Sequence, residues 1–254
     1  MTCETFDLAK YKNNKSKVEF RKPLGFIRIK MDQDLKDELK NSILKTGTTI
    51  IGIVCKDGVI MAADRQVTGG NIVMQKDFKK VNKINDYLVV SWTGGVADAL
   101  MSTKMINAEL RLKELKSKKR PSVREAANLV AMMTYRNIRQ PSMIPSIVGT
   151  LIAGVNEGGT AELYSIEPAG GVYQVKDYDA NFGSGMPYVL GVLERGYKEN
   201  MNVKDGKQLA IECLKASTQR DVGSGYGIDI FELTKEGIKQ VIEQEIVSEY
   251  KDRK

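Results

Sequence analysis

The chain has 254 residues, 42% hydrophobic and 28% charged, the composition of a globular protein with a sizeable core. Lys and Arg number 39 against 32 Asp and Glu, a net charge of +7, spread along the chain in a way that does not favour nucleic acid as a partner. Histidine is absent, which excludes Ser-His-Asp and Cys-His triads, histidine metal sites and HExxH proteases.

Cys3, Cys55 and Cys213 are odd in number and far apart, so neither an intrachain disulfide framework nor a Cys-x-x-Cys metal site is expected. No apolar run approaches the roughly 18 residues that cross a bilayer, and MTCETFDLAKYKNNK lacks the apolar core of a secretion signal. The expectation is a cytoplasmic protein without membrane contact.

Residues 1–47 carry 11 basic and 7 acidic side chains, a net +4, against +3 for residues 48–254. Within this leader, Met31 to Lys45 places Leu35, Leu39 and Ile43 four apart, which predicts one short amphipathic helix, while residues 8–24 read as polar and loose. From Thr48 the pattern changes to strands: TTIIGIVC, GVIMAAD after the Lys56-Asp57-Gly58 turn, KKVNKI and YLVVSW. Two helices follow. One runs from Val96 to Lys118, with Ala99, Met105, Ile106, Leu110 and Leu112 at helical spacing, and one from Ser122 to Ile138, with Ser122 as N-cap. Strands return at IVGTLIAGV, AELYSI, GVYQV and YDANFG. Helices from Pro187 to Lys198 and Val203 to Gln219 come next, then strands GIDIFELT and IKQVIE and a charged tail. Strands, helix pair, strands, helix pair, strands argues for two sheets face to face, each covered by two helices. There is no repeat of fixed period.

Thr48 follows Gly47 where the polar leader meets the first strand. A β-branched residue at a strand start is ordinary, but without histidine a hydroxyl nucleophile can still be activated by an N-terminal amine, whose pKa of about 7.7 to 8.0 lies near working pH. A threonine exposed by cleavage supplies both groups.

Five motifs then resemble one family in order: TGTTIIGIVCKDGVIMAADRQVT, FKKV, TGGVADA, GSGMPYVLGVLE and QRDVGSGYGID, over residues 46–234. They are similar to the archaeal-type β-subunit of the proteasome core particle. The resemblance implies an α+β, four-layer αββα sandwich of the N-terminal-nucleophile hydrolase type, which the element order above supports independently. It implies a threonine-type endopeptidase with residues 1–47 as a leader removed by self-cleavage between Gly47 and Thr48, and residues 48–254 as the catalytic domain. Thr48 would be the nucleophile, Asp64 and Lys80 its charged neighbours, Gly94 the oxyanion donor, and Ser184, Asp221 and Ser224 the supporting polar residues. No metal or cofactor is implied. The implied partners are α-type and other β-type subunits in stacked heptameric rings, an ATP-dependent unfoldase, and unfolded polypeptides as substrates.

Each assignment has a physical reason and a plainer alternative. Lys80 next to a sheet would usually snorkel into solvent; buried beside Thr48 it would stabilise developing negative charge, with Asp64 as the counter-charge that keeps it ionised. Gly94-Gly95 would usually be a turn; in the site, a missing Cβ lets the Gly94 N–H approach a substrate carbonyl. Ser184 and Ser224 could be loop serines with local bonds, or could relay the Thr48 proton and, with Asp221, orient the amine. By family position the pocket beside Thr48 is lined by Val67, Phe78, Trp92, Val96 and Leu100, so an apolar side chain is expected before the scissile bond. The lone Trp92 either shortens that pocket or packs wholly in the core. The methionines of AMMTY read as helix core, and KELKSKKR as a solvated helix end.

Gln66 departs from the archaeal pattern, where Arg is common, and DRQVT, NIVM and GGVADA are also similar to the bacterial two-component protease subunit HslV. That chain is shorter and has no evident counterpart of QRDVGSGYGID, so the proteasome resemblance ranks ahead. A structural β-ring subunit that never loses its leader is the alternative from another class.

Overall fold

The computed structural model describes residues 46–142 and 146–247. The expected leader helix at Met31 to Lys45, Cys3 and the end of the charged tail lie outside the described residues. Twelve strands are described: β1 Ile50–Cys55, β2 Gly58–Asp64, β3 Val67–Gly69, β4 Ile72–Gln75, β5 Val81–Asn85, β6 Leu88–Gly94, β7 Val148–Val155, β8 Ala161–Ile166, β9 Val172–Val175, β10 Tyr178–Asp179, β11 Gly227–Thr234 and β12 Gly237–Glu245. The described helices are α1 Val96–Ser117, α2 Val123–Arg139, α3 Met186–Gly196 and α4 Val203–Arg220.

The strands form two antiparallel five-stranded sheets, ordered β10-β1-β2-β11-β12 and β5-β6-β7-β8-β9, and a separate β3-β4 ribbon. Three apolar layers show how they stack. Ile50, Val59, Met61, Val89, Leu151, Leu163 and Leu233 pack between the sheets. Ile106, Leu110, Val123 and Val130 cover the outer face of the second sheet through Val90, Ile152 and Ile166, and Val189, Leu193, Leu209 and Leu214 cover the first through Ile51, Ile53 and Ile60. The architecture is the expected αββα sandwich. Strands buried on both faces explain why β2 and β7 read as continuous apolar runs instead of alternating ones.

Ser122 caps α2 with the full capping box: its hydroxyl accepts the Glu125 N–H, and the Glu125 carboxylate accepts the Ser122 N–H. Three local expectations change. In α1 only Ala99, Ile106 and Leu110 are buried; Met105 and Leu112 are exposed, because they share a second stripe with Met101 that faces away from the sheet. In AMMTY, Met132 and Tyr135 are exposed and Met133 is partly buried. Strand β1 begins at Ile50, not Thr48, since the Thr48 and Thr49 N–H groups bond to side chains and not to a neighbouring strand.

Candidate active site

Thr48 enters β1 from the end of the sandwich where β2, β6, α3 and α4 also begin or end. Its N–H donates to Ser184 Oγ at 2.9 Å, and its carbonyl accepts the Gly185 N–H at 3.1 Å. Thr48 Oγ1 is buried and has no hydrogen-bond partner among the described residues. A buried hydroxyl without a partner is costly; Ser91 Oγ and Thr150 Oγ1 share that state, and what sets Thr48 apart is its place in the pocket beside Lys80.

Beyond Thr48 N the network continues through side chains. Ser184 Oγ and Ser224 Oγ both donate to Asp221 Oδ2, each at 2.6 Å. With its proton on Asp221, Ser224 Oγ accepts from Thr49 Oγ1 at 2.7 Å. One carboxylate thus aligns two serines, one on the nitrogen of Thr48 and one on the hydroxyl of Thr49. Thr49 is fully buried, and its Oγ1 fits because Gly185 has no Cβ; one there would lie 1.8 Å from it.

Asp64 ends β2 and is fully buried. Its Oδ1 accepts Lys80 Nζ at 2.5 Å and the Thr49 N–H at 2.8 Å; its Oδ2 accepts the N–H groups of Gln66 at 2.9 Å and Gly225 at 3.0 Å. Four N–H donors are what an ionised carboxylate accepts. Lys80 sits immediately before β5 and is 5% exposed, so the solvated alternative is excluded. Burial pushes the Lys80 ammonium below the usual lysine value, while the Asp64 and Asp221 carboxylates oppose that fall. Asp64 is the first opposing charge, as the counter-ion role expected from sequence requires.

Gly94 ends β6 with φ +106, and a Cβ there would lie 2.1 Å from the Ile147 carbonyl oxygen. The glycine is demanded by its backbone angle and by the adjacent Ile147 backbone.

One pocket is lined by Thr48, Lys80, Gly94 and all five expected residues, Val67, Phe78, Trp92, Val96 and Leu100, with Thr46 and Gly47 also in its wall. Trp92 is not wholly in the core. It is 6% exposed within the helix-side core and also lines the pocket, and its Nε1 has no partner among the described residues.

Several contributors escaped the sequence. Gln66 is buried, and its amide donates to Thr68 Oγ1 at 2.8 Å and the Val222 carbonyl at 2.7 Å, tying the β2–β3 corner to the loop that carries Asp221 and Ser224. Arg65 donates to Asp229 from Nε at 3.0 Å and Nη2 at 2.7 Å, to Asp77 at 2.7 Å and to Glu243 at 2.8 Å. It clamps the segment bearing Phe78 and Lys80, and the Phe78 N–H bonds its carbonyl at 3.0 Å. Its place directly after Asp64 was the available signal. The β3–β4 ribbon was missed too, although Gly69-Gly70-Asn71 is a turn signature.

Residues 44–233 match the family described as Proteasome subunit. The chain is 41% identical over 194 residues to "Proteasome subunit beta" of Nanoarchaeum equitans, covering 76% of this chain and 96% of that one. Against "Proteasome subunit beta 1" of Thermococcus onnurineus the identity is 40%, with 79% and 95% covered; against the Methanopyrus kandleri subunit beta it is 35%, with 80% and 95% covered. The chain belongs to the proteasome subunit family, as a β-type subunit of the core particle with protease function.

Proposed function

We propose that the chain is a threonine endopeptidase made as a precursor, with Thr48 as nucleophile once the Gly47–Thr48 bond is cut. The observation that carries this reading is the arrangement at Thr48: an unpartnered buried Oγ1, and a nitrogen on Ser184 Oγ, itself bonded to Asp221. In the uncut chain that nitrogen is an amide and no base. Cleavage turns it into an amine already seated on a hydroxyl whose own O–H is hydrogen-bonded to a carboxylate, where it can take the Thr48 proton. Lys80, held by Asp64, supplies positive charge in the same pocket, and the Gly94 N–H is the proposed oxyanion donor. The apolar pocket suits an apolar side chain before the scissile bond.

Self-cleavage balances without another reagent than water. Thr48 Oγ bonds to the Gly47 carbonyl carbon, the C–N bond breaks, and the hydroxyl proton ends on nitrogen. Water then splits the ester, releasing residues 1–47 with a carboxyl end and restoring the Thr48 hydroxyl. Residues 1–47 are thus the leader and 48–254 the working subunit, in the cytoplasm, within stacked heptameric rings of β-type and α-type subunits fed unfolded polypeptide by an ATP-dependent unfoldase. The exposed stripe of Met101, Met105, Leu112 and Leu115 on α1 supports burial in an assembly, since such apolar patches mark contact surfaces. Among the described residues no helix is long and apolar enough to cross a membrane. The test is the intact mass of the subunit in assembled, active particles: a chain of 207 residues starting at Thr48 is expected, and the full 254 residues in active rings would overturn the assignment.

A further inference from the structure

Gly47 and Gly223, 176 positions apart, meet backbone to backbone. A Cβ on Gly47 would lie 2.3 Å from Gly223 Cα, and one on Gly223 would lie 2.5 Å from Gly47 Cα. The φ of Gly47 lies outside the left-handed region, so what the position requires is the missing Cβ. We propose that Gly223 is a positioning residue for self-cleavage, a wall that seats the leader's last residue and has no such role in later turnover. This rests on the processing reading above.

Thr48 is fixed on both sides, by its N–H on Ser184 and its carbonyl under the Gly185 N–H. The remaining freedom of the bond to be cut lies upstream, at Gly47. The described residues contain no cis peptide bond, so the Gly47 carbonyl points opposite to the N–H held by Ser184. Where its carbon sits depends on how closely Gly47 approaches Gly223. That wall is itself anchored. The Gly223 N–H donates to Asp221 Oδ1 at 3.1 Å, its carbonyl accepts Thr68 Oγ1 at 3.4 Å, and the preceding Val222 carbonyl accepts the Gln66 amide at 2.7 Å. A methyl at 47 or 223 therefore pushes the leader out and does not simply move the wall. Ordinary Cβ contacts begin near 3.4 Å, so the scissile carbonyl shifts by roughly 1 Å, a displacement that can cost about 100-fold in rate.

The contact exists only before cleavage, because Gly47 leaves with the leader. A methyl on Gly223 would also lie 2.7 Å from Ser184 Oγ, so turnover falls as well, but that contact is with one side-chain atom, whereas the contact with Gly47 is backbone against backbone and acts on processing alone. Loss of processing should thus exceed loss of turnover.

The experiment follows the full chain in assembling particles, reading the conversion of 254 to 207 residues by intact mass, and peptide hydrolysis per processed subunit with a covalent threonine-directed probe as the count. Gly223→Ala is expected to slow processing by about 100-fold while hydrolysis per processed subunit falls far less. Gly47→Ala meets the same wall from the other side and is expected to slow processing to a similar extent, and its processed product is identical to the parent, which keeps the test intact should Gly223→Ala fail to fold. Parental processing in either variant, or an equal loss of processing and turnover in Gly223→Ala, would overturn the inference while leaving the processing reading in place. A parent chain uncut at Gly47–Thr48 would overturn the reading itself.

Discussion

Lys80 Nζ lies 2.5 Å from Asp64 Oδ1 with both side chains buried, and the same oxygen accepts the N–H of Thr49, one residue beyond the proposed nucleophile. The pair therefore holds charge and backbone position together. Burial already lowers the Lys80 pKa against the pull of Asp64, so Asp64→Asn is expected to lower it further and drain positive charge from the pocket. Lys80→Ala removes the charge outright. Each single variant is expected to lose most activity in processed particles, and the double variant to be little worse than either. Additive losses, or a near-silent Lys80→Ala, would contradict the coupling.

Thr48→Ala is expected to abolish both self-cleavage and peptide hydrolysis while the fold persists, because the hydroxyl it removes makes no hydrogen bond within the described residues. Thr48→Ser is expected to retain part of the activity. Hydrolysis at the parental rate in Thr48→Ala particles lacking any other active subunit would show a misassigned nucleophile.

Trp92 belongs to both core and pocket, so its substitution has two readouts. Trp92→Met is expected to raise kcat/KM for a Phe-ending peptide relative to a Leu-ending one, since pocket fit changes transition-state binding by about 1 to 3 kcal/mol per methylene-sized difference. Its core share predicts a lowered melting temperature in the same particles. An unchanged preference would leave Val67, Phe78, Val96 and Leu100 to set it.

Arg65 is nearly buried against Asp229, which is 1% exposed. Removing one partner of a buried pair strands the other charge, so Arg65→Ala is expected to cost about 3 kcal/mol or more in stability. Gln240 also donates to Asp229 at 2.9 Å and softens the loss without cancelling it. Denaturant unfolding of parent and variant measures the difference; a loss within 0.5 kcal/mol, the size of an ordinary surface substitution of about that magnitude, would mean the network is dispensable.

At the start of α2, the hydrogen bond from Lys113 and then that from the Ser122 N–H hold the Glu125 carboxylate near a pKa of about 2, below its usual 4.5. A depressed carboxylate pKa contributes stability that is present above the unfolded value and lost as pH falls through the folded one. Ser122→Ala is expected to cost about 1 kcal/mol near neutral pH. Glu125→Gln, which keeps an acceptor for the cap but loses the charge facing Lys113, is expected to destabilise at pH 6 and progressively less toward pH 3; a gap that widens on acidification would contradict the lowered Glu125 pKa.

Much of this molecule is local and therefore legible. Alternation and helical spacing place the strands and helices, and Ser122 announces its cap, whereas the Gly47-Thr48 junction, Asp64 and Lys80 are singled out by the family resemblance of their motifs. Short-range preferences set these features, so a window of residues contains them. The β3–β4 ribbon escaped because Ile72, Val73 and Met74 are exposed and apolar patterning assumes burial. Likewise, spacing along α1 could not tell which stripe, Ile106 with Leu110 or Met105 with Leu112, would meet the sheet. The candidate constellation around Thr48 was decided only in three dimensions. Ser184 reaches Thr48 across 136 positions, Gln66 holds Val222 across 156, and Gly47 touches Gly223 across 176. Such contacts are made by the packing of two sheets and their loops, and a glycine whose purpose is to leave room for another backbone carries no local mark of what it makes room for.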